Sequence, residues 1–198
     1  MAIREERKQS IMDAALHLFA ENGFESTSID KIASHAGISK GLVYSYFKCK
    51  DDLLYQILET GMNLITDLLH PEMTVEEFIT KIEDIFDSMS ENLDFWKLYT
   101  IITVQPTVTQ KFEEMRSEYD GIRSDLTNFF TKHFGKEQVL EELIMYTVIM
   151  KGFTVLYVFS DKQNTFSNEM LKKVVINSIR ERFATVRHCG LDPQSPEN

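Results

Sequence analysis

Turn-forming and cross-linking residues are scarce in this sequence. Its 198 residues include four prolines and eight glycines, too few for the closely spaced turns of an all-β fold, so helices are favoured. The two cysteines, Cys49 and Cys189, cannot build a disulfide framework, which suits a reducing cytoplasm. An apolar run at the N-terminus is also missing, so we expect no signal peptide and a cytoplasmic location.

Long uncharged apolar runs are missing too, although one segment comes close. Residues 137–160 are apolar on nearly every side, but Glu141, Glu142 and Lys151 interrupt them. A membrane-spanning helix needs about 18 or more apolar residues without charges. We therefore expect no membrane partner, and we predict a helix that is buried on all sides.

Positive charge is in short supply after residue 50. Residues 1–50 hold seven Lys or Arg and six Asp or Glu, whereas residues 51–198 hold 14 and 25. If the chain binds DNA, phosphates would repel the acidic remainder, and approach would favour the first 50 residues. A soluble acidic protein without a nucleic-acid partner would have the same balance, so charge alone leaves both interpretations open.

What the sequence does contain is a helix-turn-helix pattern between Ser28 and Phe47. Ser28 and Ser39 are good N-caps, because a serine hydroxyl accepts from a free amide in the first helical turn. Gly37 between them suits a left-handed helix end. Apolar residues recur at helical spacing in both segments: Ile29, Ile32, Ala33, Ala36, Val43 and Phe47. The pattern predicts two helices, the second of which enters the DNA major groove; an αα-hairpin without DNA is the alternative.

The outward side of the predicted second helix favours double-stranded DNA. It combines a cation, two phenols and a hydroxyl and carries no acid: Lys40, Gly41, Leu42, Tyr44, Ser45 and Tyr46. Phosphate oxygens accept hydrogen bonds from Tyr hydroxyls, Lys ammonium groups and helix N-termini. We expect Lys40 to reach base edges or a nearby phosphate and Leu42 to contact a thymine methyl. Tyr44, Tyr46 and Lys50 are expected to hold phosphates. The predicted DNA-binding residues are Thr27, Ser28, Ser39, Lys40, Gly41, Leu42, Tyr44, Tyr46 and Lys50.

This region resembles the DNA-binding domain of TetR/AcrR-type transcriptional regulators. The resemblance is carried by Thr27-Ser28-Ile29, Ile32-Ala33, Ala36-Gly37-Ile38-Ser39-Lys40-Gly41 and Tyr44-Ser45-Tyr46-Phe47. It implies an all-α fold of about nine helices. The implied domains are a three-helix helix-turn-helix domain at residues 1–50 and a ligand-binding and dimerisation domain at 51–187. Residues 188–198, with two prolines and no periodicity, are expected to be a disordered tail.

Apolar periodicity predicts helices along the whole chain. Thr74 and Glu77 form a capping box that opens one of them, and we expect Asn92 and Gly135 to separate others. The predicted helices outside the helix-turn-helix are residues 3–22, 51–69, 74–89, 94–103, 108–133, 137–160 and 167–186.

Two features beside the helix-turn-helix each allow two interpretations. Arg4, Arg7 and Lys8 precede the apolar residues of the first predicted helix, which begin at Ile11. They form either an arm that touches phosphates or a solvated helix end. Cys49 stands where the resembled family usually has a small polar residue. It is either a redox-sensitive position or a passive substitution.

Sequence patterns of catalysis are absent. There is no Gly-rich phosphate loop, no Gly-x-Ser-x-Gly and no His-Glu-x-x-His. The five histidines are scattered, and the one spaced pair, Asp67 with His70, resembles a surface contact more than a metal site. We therefore expect no enzyme, no cofactor and no metal.

Aromatic and methionine residues are plentiful after residue 80. Most must form core, but pockets are also mainly apolar and Met adapts to irregular space. The resemblance implies a small-molecule pocket in this part of the chain. The predicted ligand-binding residues are Phe86, Met89, Trp96, Tyr99, Met115, Tyr119 and Phe153.

The last two predicted helices are the candidates for self-association. The resemblance implies that two helices from each of two chains form a four-helix dimer interface, with Val175 as one interface position; a monomer core is the alternative. The function that follows is a homodimeric repressor, released from an inverted-repeat operator by a mostly apolar small-molecule effector. The alternatives are a constitutive repressor without ligand and a small helical enzyme or ligand carrier.

Overall fold

A computed structural model describes residues 2–66, 70, 72–104, 120–159 and 167–188. Within these ranges the chain is helical and has no strand, which confirms the predicted all-α fold. The eight helices are α1 (Ala2–Asn22), α2 (Ile29–His35), α3 (Lys40–Tyr44), α4 (Lys50–Thr66), α5 (Val75–Glu91), α6 (Leu93–Val104), α7 (Asp120–Val158) and α8 (Asn168–His188).

Some predicted features lie outside the described residues. These are the last turn of the fourth predicted helix (67–69), the stretch 105–119 that contains Met115 and Tyr119, the end of the 137–160 helix at residue 160, and the tail after residue 188.

Glycine separates two helical arms at the predicted position in α7. Gly135 has φ +79°, and it is the non-helical residue inside Asp120–Val158. A left-handed φ is strained for a residue with a side chain and is open to glycine. The first arm (120–134) and the second arm (136–158) therefore correspond to two of the helices predicted from the sequence.

The predicted capping box at the start of α5 is confirmed. The Thr74 backbone amide and hydroxyl donate to Glu77 Oε2 at 2.7 and 2.8 Å, and the Glu77 amide donates to Thr74 Oγ1 at 3.2 Å. These hydrogen bonds, first from the Thr74 amide and then from its hydroxyl, hold the pKa of Glu77 below its ordinary value. One exchange satisfies two amides that have no partner inside the helix.

The described chain divides into two compact units. One draws on Met1–Leu64 and Asn92–Met115, the other on Ile65–Glu91 and Arg116–Asn198. The predicted division after residue 50 refers to DNA binding and ligand binding rather than to compactness, and it stays a prediction.

In the first unit, α6 packs against α1. The Lys97 ammonium group donates to Glu21 at 2.9 Å, and His17 Nδ1 lies 2.9 Å from Asp94 Oδ2. The hydrogen bond from Lys97 holds the pKa of Glu21 below its ordinary value. These polar contacts flank a buried core that extends from α1 to the helix-turn-helix and includes Ile11, Ala15, Phe19, Ile32, Val43 and Phe47.

In the second unit, an aromatic cluster surrounds Phe78 of α5. Its ring stacks on Phe129 with a centroid separation of 4.6 Å, and it contacts Phe183 edge to face at 6.0 Å. Such pairs stabilise a core beyond the burial of their area. This cluster joins α5 to the first arm of α7 and to α8.

A buried ion pair explains one of the charges that interrupt the apolar segment 137–160. Glu142 is buried, and Arg182 of α8 binds it through two nitrogens, Nε donating to Oε2 at 3.0 Å and Nη2 to Oε1. The hydrogen bond to Glu142 raises the pKa of Arg182 above its ordinary value. A bidentate pair fixes the register of two helices as well as satisfying the charges.

The prediction that this segment is buried on all sides is wrong for the single chain. One side of the second arm of α7, with Phe159 directly after it and two residues of α8, exposes large apolar side chains: Leu140, Ile144, Met145, Val148, Val155, Leu156, Phe159, Met170 and Val174. We call this set the apolar stripe. The sequence periodicity could not reveal this exposed side. A helix that is apolar all round has the same sequence pattern whether its own chain or a second chain covers the remaining side.

Val175 does not lie on the apolar stripe, contrary to its predicted place in an interface. Its side chain is 8% exposed and faces the core of its own chain, whereas that of Val174 is 55% exposed. Adjacent positions on a helix point about 100° apart, which accounts for the difference.

In the part of the chain that the structure describes, no helix is long and apolar enough to span a membrane.

Candidate nucleic-acid interface

The predicted caps and turn of the helix-turn-helix are confirmed. Ser28 Oγ accepts from the Lys31 amide and Ser39 Oγ from the Leu42 amide, each at 3.3 Å. Gly37 between them has φ +68°. Both hydroxyls therefore complete a helical first turn, and the glycine allows the sharp change of direction between α2 and α3.

Helix α3 buries one side and exposes the other. Val43 is fully buried, and Phe47 joins it in the core just after the helix. Tyr44 is 49% exposed, and Lys40, Gly41 and Ser45 are exposed with it. The exposed side is thus the polar one that the sequence predicted, and it can meet a phosphate backbone or base edges.

Thr27 is placed differently from the other predicted DNA-binding residues. It is 1% exposed, and its hydroxyl donates to the carbonyl oxygens of Gly23 at 2.9 Å and Leu18 at 3.2 Å. Its amide donates to the Phe24 carbonyl at 3.3 Å. The side chain therefore ties the start of the helix-turn-helix to α1 and positions Ser28 rather than facing solvent.

Lys50 is also engaged within the protein. Its ammonium group donates to the carbonyl oxygen of Phe24 at 2.8 Å and lies 4.2 Å from the centre of the Phe24 ring. This contact attaches the first residue of α4 to the loop before α2. A phosphate could be bound only by the N–H groups that remain, because a Lys ammonium has three donors.

Lys40 has a partner that the sequence did not indicate. Its ammonium group lies 2.7 Å from Oδ2 of Asp30, and both side chains are largely exposed. The hydrogen bond from Lys40 to Asp30 raises the pKa of Lys40 above its ordinary value. Although α3 itself carries no acid, the fold brings a carboxylate from α2 to its first residue.

Arg4 joins the site from the start of the chain. It lies in α1, not in an extended arm, and its guanidinium carbon is 5.8 Å from the centre of the Tyr46 ring. A cation over an aromatic face is attractive at this separation. Of the residues considered for the DNA interface, Leu42 and Tyr46 are half-buried, and the exposed ones are Arg4, Ser28, Asp30, Ser39, Lys40, Gly41 and Tyr44.

Cys49 occupies a capping position at the start of α4. Its sulfur accepts from the Asp52 amide at 3.5 Å, and Asp52 Oδ2 accepts from the Lys48 amide at 2.7 Å. The arrangement is related to a capping box, but sulfur replaces the usual oxygen and the Asp52 carboxylate accepts from the amide one residue before the cap. A structural role for this exposed thiol follows from the geometry, and it favours the passive interpretation.

Three predicted ligand-binding residues lie in the second unit. The rings of Phe86 and Phe153 have centroids 3.9 Å apart, and Met89 follows Phe86 on the same helix. All three are buried. They link α5 to the second arm of α7.

Two other predicted ligand-binding residues lie in the first unit. Trp96 and Tyr99 of α6 pack edge to face with a centroid separation of 5.8 Å. Met115 and Tyr119 lie outside the described residues, as does Asp67 of the Asp67–His70 pair. Among the residues that are described, no group of three His, Cys, Asp or Glu side chains could hold a metal ion.

A capped helix pair with a glycine turn and an exposed polar second helix defines a helix-turn-helix protein. The family model described as "Bacterial regulatory proteins, tetR family" matches residues 11–57. The HTH-type transcriptional regulator YerO of Bacillus subtilis, itself uncharacterised, is 30% identical over 200 residues, an alignment that covers 95% of this chain and 68% of YerO. The chain therefore belongs to the TetR family of DNA-binding transcriptional regulators.

Two further comparisons agree with this assignment. The HTH-type transcriptional repressor Rv3405c of Mycobacterium tuberculosis is 31% identical over 137 residues, covering 67% of this chain and 72% of that protein. The structure of the fatty acid degradation regulator FadR from Bacillus halodurans has the same fold, with a TM-score of 0.70 and 19% identity over 89% of this chain and 94% of that one.

Proposed function

We propose that this regulator is a cytoplasmic homodimeric repressor, that it binds an inverted-repeat operator through α2 and α3, and that a mostly apolar small molecule releases it. The observation that carries the proposal is the apolar stripe. A row of exposed Leu, Ile, Val and Met side chains on two adjacent helices is unusual for a monomer and is typical of an interface.

A second copy of the chain fits the apolar stripe. Two helices from each copy would bury the stripe against itself across a two-fold axis, as in an isologous dimer. Two recognition helices related by that axis would reach successive major grooves about 34–36 Å apart. The operator would then be an inverted repeat, with one half-site for each α3.

The proposed DNA contacts follow the exposed side of the helix-turn-helix. Lys40 and Leu42 read base edges, whereas Tyr44 and Tyr46 hold phosphates. Ser28 and Ser39 contribute the N-termini of α2 and α3, and the exposed Gly41 lets the backbone approach. Thr27 and Lys50 support these contacts indirectly, because they hold the loop before α2 in place.

The proposed effector site includes Phe86, Met89 and Phe153. Because the two phenylalanine rings contact each other, a ligand that enters between them must separate α5 from α7. A ligand shifts a conformational equilibrium only if it binds one arrangement better than the other. Separation of these rings is a change that a ligand could stabilise. The prediction for Trp96, Tyr99, Met115 and Tyr119 rests on the sequence alone.

Repression is supported by the name of a relative, since Rv3405c is a transcriptional repressor. Release by a ligand fits α4, which begins at Lys50 beside the recognition helix and runs to Thr66, a rod of about 25 Å. A rigid rod transmits a small displacement at one end to the other. Loss of the spacing between the two α3 helices would then lower the affinity for the operator.

The test combines selection of bound DNA sequences with a ligand screen. We expect the selected sites to be inverted repeats and the affinity for them to fall steeply with salt. An effector found by release from that DNA should bind more weakly when operator is present, by the same factor by which it weakens operator binding. Typical couplings are about 1–3 kcal/mol.

Each alternative has its own signature in this test. Equal ligand affinity with and without operator, for every compound that binds, would identify a constitutive repressor. A chain that turns over or carries a small molecule but shows no salt-dependent binding to duplex DNA would be a helical enzyme or ligand carrier instead.

A further inference from the structure

An ion pair connects the two helices of the helix-turn-helix at its exposed side. Asp30 lies in the first turn of α2, Lys40 is the first residue of α3, and their charged atoms are 2.7 Å apart. The side chains of Lys40 and Asp30 are 50% and 66% exposed. The pair therefore stands in solvent, at the position where the proposed interface meets DNA.

We propose that Asp30 is a specificity-determining residue of the DNA interface, which acts by holding the Lys40 ammonium group so that non-operator DNA gains little from it. The inference rests on the proposed function, in which the exposed side of α3 meets the operator. Asp30 is a positioning residue in this account, because its effect on DNA passes through Lys40.

On non-operator DNA the pair suppresses a contact. A free lysine that neutralises a phosphate releases counterions, and this sequence-independent gain supplies essentially all non-specific affinity. When the same ammonium group is already neutralised by Asp30, a phosphate must compete with the carboxylate, and the carboxylate itself is repelled by the phosphate. The net gain from Lys40 on random sequence is therefore small.

On the operator the pair orients a contact. An ammonium group has three N–H donors, so Lys40 can keep its bond to Asp30 and still donate to a base-edge acceptor such as guanine O6 or N7. Because Asp30 restricts where the ammonium group lies, less side-chain entropy is lost when that contact forms. The same carboxylate thus weakens binding to random DNA and supports binding at the correct base.

The experiment compares Asp30→Asn with wild type on selected operator DNA and on random-sequence duplex, over a range of salt concentrations. Asparagine keeps the size of the side chain and removes its charge. On random duplex we expect the slope of log K against log salt to become more negative by about 0.9 for each bound α3, which corresponds to roughly eightfold tighter binding per α3 at 0.1 M salt. The ratio of operator to random affinity should fall several-fold.

Three further variants separate the proposed route from a general charge effect. Glu25→Gln removes an acid from the loop just before α2. Since the Glu25 side chain makes no ion pair in the described structure, this variant should change the ratio of operator to random affinity little. Asp30→Glu keeps the charge and should retain most of the wild-type ratio. In a Lys40→Met background, Asp30→Asn should no longer steepen the salt dependence. Circular dichroism of each variant checks that α2 has not unfolded.

The outcomes are distinct from those that test the proposed function. If wild type binds its operator but Asp30→Asn leaves both the salt slope and the affinity ratio unchanged, Asp30 has no part in specificity. An equal effect of Asp30→Asn with and without Lys40 would show simple repulsion of DNA and would also overturn the inference. Absence of salt-dependent DNA binding by wild type would instead contradict the proposed function.

Discussion

The backbone of Gly61 in α4 lies directly against the ring of Phe95 in α6. A Cβ placed on Gly61 would stand 2.0 Å from Cε2 of that ring and 2.5 Å from Cδ2 and Cζ. Carbon atoms in contact are normally about 3.5–4.0 Å apart, and the Phe95 ring is itself buried. Glycine is therefore required at residue 61 by the close approach of two helices within the first unit, not by its backbone angles.

Gly61→Ala should destabilise the protein. Alanine gains about 1 kcal/mol of helix propensity over glycine, but displacing a buried ring by overpacking costs about 1–3 kcal/mol. We expect a net loss of about 1 kcal/mol in the free energy of unfolding, measured by urea denaturation. Gly41→Ala is the matched control, since nothing lies within 4 Å of its added Cβ, and it should leave stability unchanged or slightly higher.

Tyr44→Phe should weaken DNA binding without changing sequence preference. Loss of one hydroxyl donor to a charged phosphate costs about 1.5–3 kcal/mol, and it should do so on the operator and on random duplex alike. Fluorescence anisotropy on both DNAs gives the comparison. Tyr55→Phe is the control, because the Tyr55 hydroxyl bonds to Glu59 within α4.

A change at Leu42 should instead alter the sequence preference of DNA binding. If its side chain touches a thymine methyl, Leu42→Gln should shift the bases preferred at one position of each half-site, and repeating the selection of bound sequences would show the shift. Unaltered operator affinity in both Leu42→Gln and Tyr44→Phe would mean that this side of α3 does not bind DNA.

The parts of the site that sequence alone predicted are those fixed by neighbouring residues. Ser28, Gly37 and Ser39 act on amides and angles within four positions of themselves, so their roles can be recognised without a fold. The partners of Lys40 and Lys50 could not be found in this way. Asp30 is ten residues from Lys40 and Phe24 is 26 from Lys50. Only the packing of α2 on α3, and of the start of α4 on the loop before α2, brings each pair together.

The same limit applies to the predicted ligand-binding residues. Phe86 and Trp96 both stand at apolar positions of predicted helices, yet the structure places them in different compact units. Periodicity reports that a residue faces inward but not what it faces. For this reason the set predicted from sequence stays a proposal, whereas the existence of the helices that carry it is confirmed.

The capping box of α5 gives a stability contribution that depends on pH. The pKa of Glu77 is held below its ordinary value of 4.5, first by the hydrogen bond from the Thr74 amide. A carboxyl whose pKa is lowered by folding stabilises the native state above its unfolded pKa, and this stabilisation disappears as the pH falls through its folded value. The difference in unfolding free energy between wild type and Glu77→Gln should therefore be present at pH 7 and vanish well below pH 4.5. A difference that stayed constant over this range would rule out ionisation as its source.

Val174→Glu should separate the proposed dimer and leave the fold intact. In the single chain this side chain is exposed, so a charge there is solvated, but in a dimer it would be buried without a partner. Burial of an unpaired charge costs several kcal/mol, so the dimer dissociation constant should rise by about 100-fold or more. Sedimentation equilibrium measures this, and Leu140→Glu on the other helix of the apolar stripe should behave alike.

Val175→Glu is the contrasting variant at the adjacent position. Because Val175 faces the core of its own chain, the charge should unfold the protein rather than yield a folded monomer, and circular dichroism distinguishes the two results. A wild-type chain that sediments as a monomer and still binds its operator tightly would contradict the dimer.

The ion pair between Glu142 and Arg182 supports a last prediction, on the cost of an unpaired buried carboxylate. Arg182→Met removes the partner and leaves Glu142 buried, which should lower the free energy of unfolding by about 3 kcal/mol at pH 7. This is the lower end of the usual range, because the Arg182 side chain is 44% exposed and water can reach part of the site.

The double variant Glu142→Leu/Arg182→Met tests the cause. If the deficit comes from the unpaired charge, replacing both partners with apolar residues should restore much of the stability lost in Arg182→Met, since an apolar pair needs no hydrogen bonds. Additive losses in the double variant would show instead that the two side chains contribute independently through packing. Urea denaturation of the wild type, both single variants and the double variant at pH 7 completes the cycle.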